Sequence, residues 1–185
     1  MLELDHLIVF RCGSSDIDVD GLVLDEGTRH VGQGTRNRRI LFPDSYIELL
    51  WVESPVEARA SGLRFEERCM GDACPFGVVL GGRLCEPHDF VEYTVPAGPT
   101  LLVSDDPRMP FLAVHEADDL DSLRPARRMA PECINSTSAI EHATLACGTA
   151  RPGFVVTGVS FVLGGPELTV TLTGFGEPLR FRSLA

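Results

Sequence analysis

Leu4–Phe10, LDHLIVF, and Ser45–Val52, SYIELLWV, are the two stretches whose reading decides the fold. Both are short apolar runs rich in β-branched and aromatic residues, which mark them as strands. Each carries one group able to ligate a metal, His6 in the first and Glu48 in the second. Alternate side chains of a strand share a face, so His6 is expected beside Leu4, Ile8 and Phe10, and Glu48 beside Tyr46, Leu50 and Val52. Both polar groups then lie on apolar faces. Burying even a neutral polar group without a partner costs roughly 2–7 kcal/mol, so each needs a hydrogen-bond network or a cation. A lone strand histidine is ordinarily a satisfied core residue, but Glu is seldom buried unpaired. The two together favour one shared site.

Between them lies Arg29–Phe42, RHVGQGTRNRRILF. Gly32 and Gly34 permit positive φ or a close backbone approach, and a β-like run begins directly after them. Period-two geometry puts Thr35, Asn37 and Arg39 on one face and Arg36 and Arg38 on the other. A phosphate-binding P-loop is excluded, because the stretch lacks the GK[ST] ending and opens no helix. The chain has no lysine, which removes Schiff-base chemistry.

The order of these elements resembles the glyoxalase-like branch of the vicinal oxygen chelate superfamily. The matching residues are Asp5 and His6, then His30, Gly32, Gly34, Thr35 and Asn37, then Tyr46 through Leu50. The likeness is strong over the first fifty residues or so and weaker beyond. It implies an α+β fold of paired βαβββ modules, whose curved, mostly antiparallel sheets enclose a cavity that commonly holds a divalent metal. By position, His6 and Glu48 match the family's metal ligands. Only RCGSSDIDVD, 11–20, separates the first strand from GLVLDEG, so the usual module helix is shortened or lost.

On this pattern the chain divides into module one at about 1–53, a linker at about 54–74, module two at about 75–117 and a C-terminal β extension at about 118–185, all in one domain. The linker, ESPVEARASGLRFEERCMGDA, is charge-rich and suits one or two short helices. In module two, CPFGVVLGG, FVEYTV, TLLVSDD and MPFLAVHEA read as strands. The first of these has no histidine where a second metal ligand is often found. His115 therefore becomes the favoured third ligand, with His142 of AIEHATLAC its rival. His6, Glu48 and His115 would form a two-His, one-carboxylate set suited to Zn, Fe, Mn or Ni. Glu116 and His30 are the candidate catalytic bases. Thr35, Asn37 and Arg39 are the candidate substrate-binding row, although a structural ion pair is an equal alternative for Arg39. On that reading, replacing Asn37 by Ala weakens ligand binding and leaves the melting temperature nearly unchanged. His88 is expected at the surface, and Arg124–Arg128 in a solvated loop or helix end. The C-terminal strands GFVVTGVSFVL, ELTVTLTG and PLRFRSL suggest a hairpin through LGGP, with two open placements for the unit: over the cavity or against another subunit.

A chain of 185 residues with 44% hydrophobic residues is long enough for a substantial core. Its formal net charge of −11 argues against a nucleic-acid partner. No apolar run approaches the ~18 residues of a membrane span and no signal peptide opens the chain, so a cytoplasmic protein is expected. The six cysteines form no CxxC motif and are expected as free, mostly buried thiols. The expected partner is a small molecule, with a homodimer open. Three functional classes fit: a metal-dependent lyase, isomerase or dioxygenase, a metal-free drug-sequestering or binding module, and a structural protein with a vestigial site.

Overall fold

The computed structural model describes residues 2–14, 19, 21–85, 89–96, 98–116, 124, 129, 131–148 and 152–182. Its larger sheet grows outward from β1 (Leu2–Arg11), which is paired on both sides. On one side lies β4 (Tyr46–Val52), parallel to it, followed by β3 (Thr35–Leu41) and the edge strand β2 (Arg29–His30). On the other lies β5 (Phe76–Gly82), antiparallel to β1, followed by β8 (Phe111–His115), β7 (Thr100–Ser104) and the second edge strand β6 (Val91–Thr94). The chain thus repeats one four-strand unit twice. In each unit the first strand pairs in parallel with the fourth, and the β1–β5 pair joins the two. Among the described residues no helix lies between β1 and β2 or between β5 and β6.

The apolar alternation of these strands feeds two cores. Leu7, Val9, Ile47, Leu49, Val78 and Leu112 pack on one face against Ala143, Leu145, Leu168 and Val170 of a second sheet. That sheet has the order β10-β9-β11-β12, with β9 at Ile140–Gly148, β10 at Val159–Val162, β11 at Gly164–Leu172 and β12 at Leu179–Arg182. On the other face, Ile8, Phe10, Leu50, Val79, Phe111 and Ala113 pack around Phe65 and Cys69 of α2 (Phe65–Met70).

The eight-stranded sheet curls into a half-barrel. Gly32, just beyond β2, lies so close to Pro96, just beyond β6, that a Cβ on Gly32 would stand 2.9 Å from the proline ring. Loops at the two opposite edges of the sheet therefore meet. The concave side of an eight-stranded sheet whose edge loops approach this closely has little room beyond its own side chains. A four-stranded sheet cannot fit there, so the second sheet packs outside and the face bearing Ile8, Phe10 and Val79 is the inner one.

The C-terminal unit accordingly backs the outer face, away from the inner one. The expected LGGP hairpin does not form, because β9 lies between β10 and β11, parallel to the first and antiparallel to the second. The linker holds α1 (Pro55–Ala60), N-capped by Ser54, and α2. Its charge pattern conceals a core residue. The Arg68 guanidinium is fully buried, paired with Asp105 at 2.7 Å, and donates to the carbonyl oxygens of Cys74, Asp106 and Met109. It also lies 5.8 and 5.5 Å from the ring centres of Phe10 and Phe111, within cation–π range. Arg68 thus ties α2 to the loop before β8. Among the described residues no helix is long and apolar enough to cross a membrane. His88 and residues 125–128 lie outside the described residues.

The cysteines depart from expectation. Cys74 and Cys147 form a disulfide linking the entry to β5 with β9, so it joins the two sheets. Of the free thiols only Cys69 is buried, while Cys12 and Cys85 are exposed. Sequence could not pair them, because the partners are 73 residues apart and meet only once the sheets stack. A crosslink over that span is worth about 4 kcal/mol by loop-closure entropy. Thermal melts with a dithiol reductant are expected to show a markedly lower melting temperature for the native protein. A Cys74→Ala/Cys147→Ala double variant should melt low and be indifferent to the reductant.

Candidate functional site

The register of β1 slips between Leu4 and His6: Leu4 pairs with Leu80 and His6 with the adjacent Val79. Asp5 is the extra residue of this bulge. The slip corrects simple alternation, since Leu4 joins the outer core while His6 stays on the inner face with Ile8 and Phe10. It also sets Asp5 beside its neighbour, with Asp5 Oδ2 2.8 Å from His6 Nδ1. Tyr46, the register partner of His6 on β4, stacks on the imidazole with ring centres 4.2 Å apart.

Glu48 pairs with Ile8 on one side and Arg39 on the other, which places it on this same inner face. It is 5% exposed. Its Oε2 lies 3.4 Å from His6 Nε2, and its Oε1 accepts a 2.6 Å hydrogen bond from Asn37 Nδ2. His30 approaches the same oxygen, with Nε2 3.7 Å away. His30 Nδ1 is 3.0 Å from Thr35 Oγ1, and its Nε2 is 3.2 Å from Asn37 Nδ2. A neutral His30 carrying its proton on Nδ1 donates to Thr35 and accepts from Asn37, satisfying both contacts. The imidazole is also the open end of the cluster, with its side chain 26% exposed against 7% for Glu48.

Local sequence explains why His30 arrives here. Gly34 adopts φ +70°, and a Cβ there would sit 2.3 Å from the Ser54 carbonyl oxygen. Only glycine lets the β2–β3 turn lie so close to the start of α1. Glu57 of that helix then holds the turn, accepting from the Gly32 amide at 3.0 Å and from Arg29 at 2.8 Å.

Burial alone would discharge both partners of the central pair, yet their mutual contacts dominate. Burial lowers the His6 pKa, but the hydrogen bonds and charges of Asp5 and Glu48 raise it to about 9. Burial likewise raises that of Glu48, but His6, His30 and Asn37 bring it down to about 2. The pair is an imidazolium–carboxylate ion pair at neutral pH.

The other expected site residues fall elsewhere. Arg39 is committed to a structural ion pair: its Nε and Nη2 reach Asp25 Oδ2 at 2.7 and 2.6 Å, and its backbone N–H donates to Asp25 Oδ1. Asn37 does structural work as well, since its Oδ1 accepts from the Thr28 amide at 2.7 Å. Removing its side chain therefore costs stability as well as any ligand contact. His115 shares the inner face but stands two strands from β1, opposite Gly81. Glu116 follows it, exposed and past the strand end. His142 is exposed on β9 of the other sheet. Among the described residues no three or more His, Cys, Asp and Glu side chains are grouped to hold a metal ion. The set His6, Glu48 and His115 is therefore not assembled, because β5 separates the third residue from the first two.

Residues 4–83 match the family model described as a glyoxalase-like domain, so this segment is similar to that family. The match spans the first module, the linker and the first strand of the second module. Among solved structures, the chain is similar to a hypothetical protein from Staphylococcus aureus, at 19% identity and a TM-score of 0.49, covering 80% of this chain and 70% of that one. No curated protein matches the chain.

The ion pair makes stability depend on pH. The raised His6 pKa stabilises the fold fully below its unfolded value of 6.5, and that contribution is lost as pH rises through about 9. The lowered Glu48 pKa stabilises above 4.5, and its contribution is lost as pH falls toward about 2. In metal-free protein the pair should contribute most between these unfolded values, roughly pH 4.5 to 6.5, with a loss on the order of 3 kcal/mol on the alkaline side. Denaturant titrations across pH should show that loss in the native protein and a flattened alkaline limb in His6→Gln.

Proposed function

We propose that the inner face binds a small oxygenated molecule and that His30 transfers a proton to or from it. The observation that carries this reading is the buried Glu48 carboxylate, engaged by His6 and Asn37 and approached by His30, the exposed member. A fixed negative charge behind an imidazole stabilises its protonated form, as a general base requires when it takes a proton from carbon or oxygen. His6, held between Asp5 and Glu48, keeps that carboxylate ionised and oriented. Thr35 holds Nδ1 of His30, and the 3.2 Å contact of Asn37 with Nε2 is given up when that nitrogen takes a substrate proton.

Proton exchange on a simple probe tests this. Hydroxyacetone in D2O, followed by NMR, should lose the protons next to its carbonyl faster with the native protein than with buffer. His30→Gln should reduce that acceleration by roughly 100-fold or more, while Glu48→Gln should weaken it with little change in volume. If the native protein gives no acceleration at any pH, the acid–base reading falls and a binding module remains.

A metal-dependent lyase, isomerase or dioxygenase is the second reading, favoured by the 3.4 Å separation of His6 Nε2 and Glu48 Oε2, a spacing two ligands of one cation can span. Among the described residues no group of three or more such donors is assembled to hold a cation. Metal analysis decides it. A near-stoichiometric divalent ion, together with a chelator-lowered melting temperature that His6→Ala abolishes, would establish this reading.

A further inference from the structure

Both partners of the Cys74–Cys147 bond belong to the outer core, yet they also line a solvent-open cavity of about 870 Å³. Beside them, Gly71, Ala73, Gly148 and Gly164 give that cavity walls with at most a methyl group each. Cys74 and Cys147 are only 2% and 3% exposed, so the cavity is the route by which a reagent reaches them. The two ends of the bond are anchored unequally. The Cys74 amide donates to the Pro107 carbonyl oxygen at 3.0 Å, and the Cys74 carbonyl oxygen accepts from the buried Arg68 at 2.8 Å. Cys147 is the penultimate residue of β9 and faces the register shift between Gly164 and Glu167 on β11, where Pro166 has no N–H to give. Breaking the bond therefore leaves Cys74 in place and frees the end of β9, while the apolar core between the sheets remains.

We infer that Cys74–Cys147 is a thiol-exchange site of the folded protein, at which a small dithiol entering the cavity releases the end of β9 without unfolding the chain. One thiolate of the dithiol attacks the Cys147 sulfur, the bond between the two cysteine sulfurs breaks, and Cys74 leaves as a thiolate that takes a proton from water. The second thiolate of the reagent then attacks the mixed disulfide and releases Cys147. The dithiol is thereby oxidised by two electrons to its own disulfide, and the protein bond is reduced. Attack falls on Cys147 because the attacked sulfur shifts toward the incoming one, which the loosely paired end of β9 permits and the doubly bonded Cys74 backbone resists. A crosslink serving stability alone would sit beneath packed side chains, and its reduction would wait for unfolding. Here the hold of the second sheet on the first follows the thiol–disulfide balance of the surroundings.

Reduction kinetics of the native protein test this. The exposed thiols of Cys12 and Cys85 are first blocked with N-ethylmaleimide. The protein is then incubated with dithiothreitol, samples are alkylated with iodoacetamide, and Cys74 and Cys147 are followed by peptide mass mapping. The rate of reduction should rise about tenfold for a tenfold increase in dithiothreitol, and it should stay level in urea kept below the unfolding transition. A rate that saturates with dithiothreitol, or that climbs steeply from the first addition of urea, means that reduction waits for unfolding and overturns the inference. With the monothiol 2-mercaptoethanol, the trapped mixed disulfide should sit on Cys147, and finding it on Cys74 overturns the direction of attack. The reduced protein should keep its near-UV circular dichroism at room temperature and recover the bond with oxidised dithiothreitol. Loss of that signal on reduction would show that the bond holds the whole fold together, which overturns the release of β9 alone.

Discussion

Two-sided pairing of β1 is the constraint on which the rest depends. A strand bonded to β4 on one edge and β5 on the other has no solvent-facing edge, and with a core on each face it must satisfy both with one alternating sequence. Leu7 and Val9 serve the outer core and Ile8 and Phe10 the inner. His6 is the exception, and the fold accommodates it through the bulge at Asp5, the stacked Tyr46 and the ionised Glu48. Because β1 carries module one on one edge and module two on the other, its register fixes which residues of both modules face inward.

A charged residue on a central strand needs this many partners. Breaking a buried ion pair leaves an uncompensated charge and costs far more than an exposed pair contributes. Glu48 is therefore surrounded from three elements, β1, β2 and β3, each supplying one nitrogen-bearing side chain. The surface pairs Arg64–Glu67 and Arg59–Glu66 have no such role. The same reasoning separates Arg68 from the other arginines of its segment, since its guanidinium finds carbonyl oxygens, a carboxylate and two aromatic rings.

Strand periodicity made much of this visible beforehand. The strands themselves, the common face of His6 and Glu48, the turn at Gly32–Gly34 and the helical character of the linker follow from patterns a few residues long, while the paired four-strand units are what the family resemblance implies. The same holds for Thr35 and Asn37, which join the cluster that alternation assigns them. What stayed hidden depends on contacts between distant segments. Arg39 is occupied by Asp25, fourteen residues away and reached only when the loop folds back. His115 is on the expected face yet a whole strand too far along the sheet. The LGGP turn resembles a hairpin connection locally, and only the insertion of β9 prevents it. The bulge at Asp5 defeats period-two counting for Leu4, because a one-residue slip reverses every side chain beyond it.

The Cys74–Cys147 bond also changes the covalent topology of the chain. All of β5 through β8, and most of β9, lie within a closed ring of backbone and disulfide. A single backbone cleavage within that ring opens it without releasing a fragment, so the two new ends remain tethered through the sulfur bridge. Module one and the final strands hang from this ring as two tails. A nicked molecule would travel as one species under oxidising conditions and as two once reduced, so its integrity on a gel reports the redox history of the protein as much as its exposure to proteases.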